Sequence, residues 1–319
     1  MELHLHPFEL TLKHPFTIAH DSRTIQSTLI VALSDGHIQG YGEATANKYY
    51  GISIDSMIKS LESIYPILAA QNFTSAEQLW QICNPILKSN PFAQCALDQA
   101  AHDYFAKKKG LKLYDALGLA ISHNVRSNYT IGIDIIEKMV AKMKELPWPI
   151  YKIKLGTADD LAIIQALRIH TDAVFRVDAN CGWDAKKTIE LSYALKDLGV
   201  EFIEQPLPAH DIAGMKEVFQ HAVLPIIADE SCIQESDVAA CHGLFHGINV
   251  KLTKCGGITP ALRMLKQAKL LGMKSMIGCM TESTIGISAI AHLLPLLDYV
   301  DMDGALLIAN DPAKGVKLD

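Results

Sequence analysis

The sequence has no CxxC pair, although it holds seven cysteines. An odd set of thiols without metal-ligand spacing argues against a disulfide framework and for reduced thiols in the cytoplasm. There is no basic stripe: the net charge is -6 and the isoelectric point about 6.1. Nucleic-acid binding therefore has little electrostatic support. The N-terminal Met1-Glu2-Leu3-His4-Leu5-His6 alternates polar and apolar residues and lacks the charged start and apolar stretch of a signal peptide. The most apolar late segment, Ile285 to Val300, is interrupted by His292, Pro295 and Asp298 and is too short to span a bilayer. The thirteen histidines form no pair at helical metal spacing, and His102 and His292 read as packing or surface residues. The absences describe a cytoplasmic protein without nucleic-acid or membrane partners. A homo-oligomer is allowed by them.

What is present is a large apolar fraction, 49% of 319 residues, enough for a sizeable core. The chain divides near residue 120. Before it, Leu3–Lys13, Thr28–Leu33 and Ile38–Glu43 read as strands, with a hairpin turn at Ser34-Asp35-Gly36-His37. Helical patterns follow over Ile54–Ala70, Ala76–Leu87 and Phe92–Lys109, with Gly110 as a stop. Residues 1–120 are thus an α+β domain with an antiparallel sheet. From about Val125, short apolar runs alternate with helical stretches: Tyr129–Ile133, Tyr151–Leu155, Val174–Asp178, Phe202–Glu204, Ile226–Asp229, Ile248–Lys251, Ser275–Gly278 and Tyr299–Asp301. Eight strands alternating with helices predict a closed parallel barrel over residues 121–319. The competing open sheet usually carries a Gly-rich phosphate loop after its first strand, and Gly132-Ile133-Asp134 is not one.

In such a barrel, catalytic groups sit at the C-terminal ends of the strands. The runs end in Lys152-Ile153-Lys154, Asp178, Glu204, Asp229, Lys251 and Asp301-Met302-Asp303. From Lys154 to Lys251 they are spaced by about one strand–loop–helix–loop unit each, so the charges converge on one rim. A single acid at a strand end is usually an ordinary surface or ion-paired carboxylate. Asp178, Glu204 and Asp229 at three successive ends would repel one another unless a hard divalent cation joined them. Oxygen-only ligands favour Mg²⁺ or Mn²⁺ over zinc. A single lysine is by default a solvated surface group. Lys154 and Lys251, however, flank the acids in strand order and should face each other across the barrel mouth. A partly desolvated lysine near a cation has a lowered pKa and can act as a base. Lys152 shares a face with Lys154 at greater depth, as a supporting or substrate-contacting group. Lys254, in the loop leading to Gly256-Gly257, is the weaker competitor of Lys251.

These pieces resemble the muconate-lactonizing subgroup of the enolase superfamily. The resemblance rests on Tyr151-Lys152-Ile153-Lys154-Leu155-Gly156, Asp178-Ala179-Asn180-Cys181-Gly182-Trp183, Glu204-Gln205-Pro206, Ala228-Asp229-Glu230-Ser231 and Asn249-Val250-Lys251-Leu252-Thr253-Lys254-Cys255-Gly256-Gly257. Gly42-Glu43-Ala44 resembles the end of the third strand of that family's capping domain. The resemblance implies a modified (β/α)7β TIM-type barrel under an N-terminal α+β capping domain. It implies one Mg²⁺ per subunit on Asp178, Glu204 and Asp229, with Mn²⁺ as a substitute. It also implies Lys154 and Lys251 as bases on the two faces of a substrate, working through an enediolate. Relatives continue for some tens of residues beyond the eighth strand, so the C-terminal part of the cap is expected to be short or missing.

Asp301-Met302-Asp303 resembles the Asp-x-Asp with which dipeptide epimerases hold a free α-ammonium. The ordinary reading of an Asp-x-Asp is a strand-end turn. A muconate or succinylbenzoate substrate carries no ammonium to place there. The expected activity is therefore Mg²⁺-dependent epimerisation of a dipeptide at its C-terminal residue, an isomerase reaction. An N-acylamino-acid racemase or o-succinylbenzoate synthase is the alternative within the subgroup. A ligand-binding relic of the barrel is the alternative outside enzymes, and it would need no opposed lysines. Substrate contacts are expected from Asp301, Asp303 and Lys152, and from a cap loop holding His20, Asp21 and Arg23. His20-Asp21 stands where Ala-Glu epimerases carry an arginine, with Arg23 displaced from it, so small or apolar dipeptides are expected over Ala-Glu.

Overall fold

A computed structural model of the chain describes residues 1–18, 21–120 and 125–318. Strands β1 (Glu2–Ile18), β2 (Asp21–Ser34) and β3 (Gln39–Thr45) form an antiparallel sheet in that order. Five helices follow: α1 (Ile54–Glu62), α2 (Tyr65–Ala70), α3 (Ala76–Leu87), α4 (Pro91–Lys108) and the single turn α5 (Leu113–Ala116). The alternating Leu29, Val31 and Leu33 of β2 bury one sheet face against Met57, Leu79, Phe92 and Ala96. Two differences from the sequence expectation have local causes. The helix expected over Ile54–Ala70 is two helices. Pro66, in the first turn of α2, has no N–H to continue the ladder, and the chain breaks at Ser63-Ile64. The expected loop Thr17–Arg23 is instead the tip of a long hairpin, with Phe16 paired to Arg23, Thr17 to Ser22 and Ile18 to Asp21. His20, named above as a substrate contact, lies outside the described residues.

Beyond residue 125, eight parallel strands alternate with helices: β4 (Tyr129–Ile131), α6 (Ile136–Glu145), β5 (Ile150–Lys154), α7 (Asp160–Arg168), β6 (Val174–Asp178), α8 (Ala185–Asp197), β7 (Val200–Glu204) and α9 (Ile212–His221). The series continues with β8 (Ile226–Ala228), α10 (Glu235–Cys241), β9 (Gly247–Val250), the one-turn α11 (Leu252–Cys255), α12 (Ile258–Leu270), β10 (Lys274–Gly278), α13 (Thr284–Ala291) and β11 (Tyr299–Asp301). Sheet order follows chain order, and a parallel bridge between Ser127 and Val300 joins the two edges. The modified TIM-type barrel read from the sequence is borne out. β4 ends at Ile131, two residues earlier than expected, because the Ile133 amide donates to Thr17 O of the hairpin (2.9 Å). Among the described residues, no helix is long and apolar enough to cross a membrane.

Strand alternation sorts the barrel. Tyr151, Ile153, Phe175, Val177, Ile203 and Ile248 pack outward under the helices. Inside, Phe202, Ile227 and Met276 form a small apolar layer with Tyr299, and the Arg176 guanidinium lies over Phe202 and Tyr299 at 5.3 and 5.2 Å. The next inward positions are Glu204, Asp229, Gly278 and Asp301, three of them carboxylates.

Two buried carboxylates of the N-terminal half reach into the N-termini of barrel helices. Asp98 of α4 accepts from the amide and hydroxyl of Thr259 at the start of α12 (2.8 and 2.7 Å). Glu43 of β3 does the same at α13. Helix N-termini favour such anions. The Asp98 clamp requires glycine at 257: φ is +123°, and a Cβ would stand 2.3 Å from Asp98 Oδ2. Gly257→Ala is expected to cost about 1–3 kcal/mol for the backbone conformation alone. The check is thermal unfolding, and an unchanged midpoint would show that the clamp does not require glycine at 257.

Candidate functional site

The C-terminal strand ends, with α11, bring four lysines and four acids together. Lys152 is fully buried (0% exposed). Its ammonium stands 3.1 Å from Asp178, 2.8 Å from Glu204 and 2.9 Å from Asp301. Lys154, two residues on and 7% exposed, is 2.6 Å from Asp178. Lys251 lies 2.9 Å from Asp229 Oδ2. Lys254 holds Asp229 from the other side, 2.6 Å from Oδ1, and also donates to the Asp229 and Cys232 carbonyls. β5 and β9 stand four places apart in the eight-stranded sheet, so Lys154 and Lys251 approach from opposite sides of the mouth.

Above them is a pocket of about 610 Å³. Lys154, Asp229, Lys251, Asp301 and Asp303 line its floor, and Phe16, Ile18, Asp21 and Arg23 of the hairpin tip line its roof. Of the residues singled out in the sequence, Asp21 and Arg23 are therefore on the pocket wall. Lys152 is not: it lies beneath, tying the acids of β6 and β7 to Asp301.

Among the described residues, two groups could offer convergent ligand atoms: Asp178 with Glu204 and Asp229, and Cys279 with Asp301 and Asp303. The first suits a hard cation. Its donors are all oxygen, and all three residues are fully buried. Burial raises the Glu204 pKa, and Asp178 and Asp229 add to it. Asp178 is also opposed by burial, but Lys154 and Lys152 outweigh that and lower it. For Asp229, Lys251 and Lys254 do the same. Asn249 donates to Glu204 Oε1 (2.8 Å). Gly278 of β10 makes room for it, since a Cβ there would sit 2.7 Å from the Asn249 amide. The second group is different. Burial holds the Cys279 thiol well above its ordinary pKa. Burial and Asp301 push Asp303 up to about 7. Asp301 is kept low against burial by Lys152 and by Asn128, whose amide donates to Oδ1 (2.8 Å). Both carboxylates line the pocket, and Asp303 also accepts from the Thr130 amide (2.5 Å).

Burial lowers the Lys251 pKa, but Asp229, with Glu204 and Glu230, outweighs it and raises it. One residue was ranked too low in the sequence reading, and another escaped it. Lys254 looked like a loop residue, yet it sits in α11, whose left-handed stop at Gly256 (φ +93°) was the available signal. Glu230, next to Asp229, lines the pocket, and burial with Asp229 and Asp178 pushes it up to about 7.

With the geometry in hand, comparison with known proteins is specific. Residues 2–118 match the mandelate racemase/muconate lactonizing enzyme N-terminal domain, and residues 134–305 match the enolase C-terminal domain-like family. An L-Ala-D/L-amino acid epimerase of Flavobacterium johnsoniae is 56% identical, over 100% of this chain and 95% of the relative. The substrate-liganded L-Ala-D/L-Glu epimerase of Bacillus subtilis superposes with a TM-score of 0.92 at 28% identity, covering 98% of this chain and 91% of that one. The dipeptide epimerase of Enterococcus faecalis V583, complexed with Mg and L-Leu-L-Tyr, gives a TM-score of 0.91 at 30% identity, over 99% and 94%.

Proposed function

The chain belongs to the mandelate racemase/muconate lactonizing enzyme family of the enolase superfamily, and from that membership we propose that it is a dipeptide epimerase inverting the α-carbon of the C-terminal residue. The observation that carries the reading is the opposed pair Lys154 and Lys251 at one pocket whose third side is Asp301 and Asp303. In this reading one lysine takes the α-proton from one face and the other returns a proton to the opposite face, which is inversion. Asp178, Glu204 and Asp229 would hold Mg²⁺, for which Mn²⁺ could substitute. When bound, that ion supplies positive charge for the electron pair pushed into the substrate carboxylate. Lys152 keeps the acids and Asp301 in one frame, since its ammonium contacts all three strands. The division into a cap of residues 1–120 and a barrel of 121–319 is part of the same proposal. So is residence in the cytoplasm.

Asp301 and Asp303 would take the dipeptide's free ammonium. A charge-assisted contact contributes about 1.5–3 kcal/mol, so Asp303→Asn is expected to lower kcat/KM by roughly ten- to a hundredfold on free dipeptides. The loss should be far smaller on N-acetylated ones. Kinetics on both substrate forms test the function: equal turnover of free and acetylated dipeptides would move the reading to an N-acylamino-acid racemase. At the hairpin tip, Arg23 lies 3.5 Å from Asp21 and over the Phe16 ring at 5.6 Å. Its charge is already partly matched, which supports small or apolar C-terminal residues over glutamate.

A further inference from the structure

Glu43 does not line the pocket and touches none of the charged groups in it, yet it is fully buried, and burial raises its pKa against the hydrogen bonds it accepts. An isolated buried carboxylate is costly, and this one is heavily solvated by protein. It accepts from the Ser283 amide with both oxygens (3.0 and 3.1 Å), from the Ser283 hydroxyl (2.5 Å), from the Gly286 amide (3.0 Å) and from the Thr28 hydroxyl (2.8 Å). Ser283 is the residue that starts α13, and it ends the turn 279–283 after β10. Glu282 in the same turn is buried too. Burial and the nearby Glu43 carboxylate push it up to about 8.

The same turn is held by the N-terminal half at three more points. Thr281 Oγ1 accepts from Arg23 (3.4 Å). Met280 Sδ accepts from Asn47 (3.8 Å). The Met280 side chain packs on the hydrophobic core under the three-stranded sheet. Cys279, Met280 and Thr281 are pocket wall. A dipeptide seated as proposed has four bonds at its reacting carbon. The carboxylate points to the acids, the peptide nitrogen runs toward β11, and the hydrogen faces a lysine. The side chain is left to meet the wall where the turn and the hairpin tip join.

We propose that Glu43 is a positioning residue for substrate discrimination: it fixes the 279–283 turn to the N-terminal sheet, and so sets the wall that meets the side chain of the dipeptide's C-terminal residue. The proposal rests on the dipeptide reading. Glu43→Gln puts an amide donor against the Ser283 and Gly286 donors. It should raise KM about tenfold or more for free dipeptides. The proton transfers belong to β5 and β9, so kcat should stay within about threefold. The rise should differ between L-Ala-L-Ala, L-Ala-L-Leu and L-Ala-L-Phe, so that their kcat/KM ranking changes. Ser283→Ala, which removes one hydroxyl donor, should produce the same split at smaller amplitude and serves if Glu43→Gln does not fold. A loss confined to kcat, or a KM rise equal for every side chain, overturns the proposal. Amide hydrogen exchange gives a readout that needs no turnover. Exchange should quicken in Glu43→Gln at 279–286 and also at the hairpin tip 21–23. Acceleration at 283–286 alone means Glu43 is only a helix cap. If the wild type epimerises no dipeptide, the functional reading fails, while the exchange result still decides the linkage.

Discussion

Replacing either Lys154 or Lys251 with alanine should lower the rate of epimerisation by about a thousandfold or more. A positioned acid or base contributes roughly 10²–10⁴, and inversion needs both groups in each turnover. The two positions should not behave alike in deuterated water. Each single variant keeps one base, so it can exchange the α-hydrogen of one epimer without converting it. Lys154→Ala and Lys251→Ala should differ in which epimer they wash. Measuring exchange by NMR beside inversion by polarimetry separates the faces. Normal inversion by both variants would dismiss the two-base assignment. Lys251 stands 2.9 Å from Asp229, which raises its pKa against the effect of burial.

The second large effect is expected on the acids. Chelation should abolish turnover and Mg²⁺ should restore it. Glu204→Gln should weaken Mn²⁺ binding, read by EPR, by about a hundredfold or more, because a ligand matters at least as much as its supporting shell. Glu204 is the position to change first. Its buried partner Lys152 also contacts Asp178 and Asp301, so a neutral amide of the same shape leaves that ammonium paired. Asp229→Asn is a harsher test. It strips the counter-charge from Lys254, whose side chain is fully buried, and breaking a buried pair costs about 3–5 kcal/mol. Its folding must be checked by circular dichroism before its metal affinity is read. Undiminished Mn²⁺ binding in folded Glu204→Gln would discard Glu204 as a ligand.

The order of elements was legible because strand and helix periods are local properties. Eight apolar runs separated by helical stretches leave few architectures open, and alternation puts Lys152, Lys154, Arg176 and Asp178 on one face of their strands. The acids and the two opposed lysines were legible for the same reason: each ends its strand. The two-helix break at Pro66 was legible in principle. The hairpin pairing around residue 20 was not, since Thr17 is also fastened to Ile133.

By itself, then, the sequence determined the barrel, the side of the sheet on which each charge stands, and the set of groups that meet at the mouth. Only the tertiary structure decided how those groups are divided among roles. It buried Lys152 beneath three carboxylates and left Lys154 at the pocket. It gave Asp229 two lysine partners and pushed Asp303 up to about 7. It joined Glu43 to Ser283 across 240 residues. Position along a strand follows from a two-residue repeat. Burial, pairing and protonation depend on distances between strands far apart in the chain, and no local pattern records those.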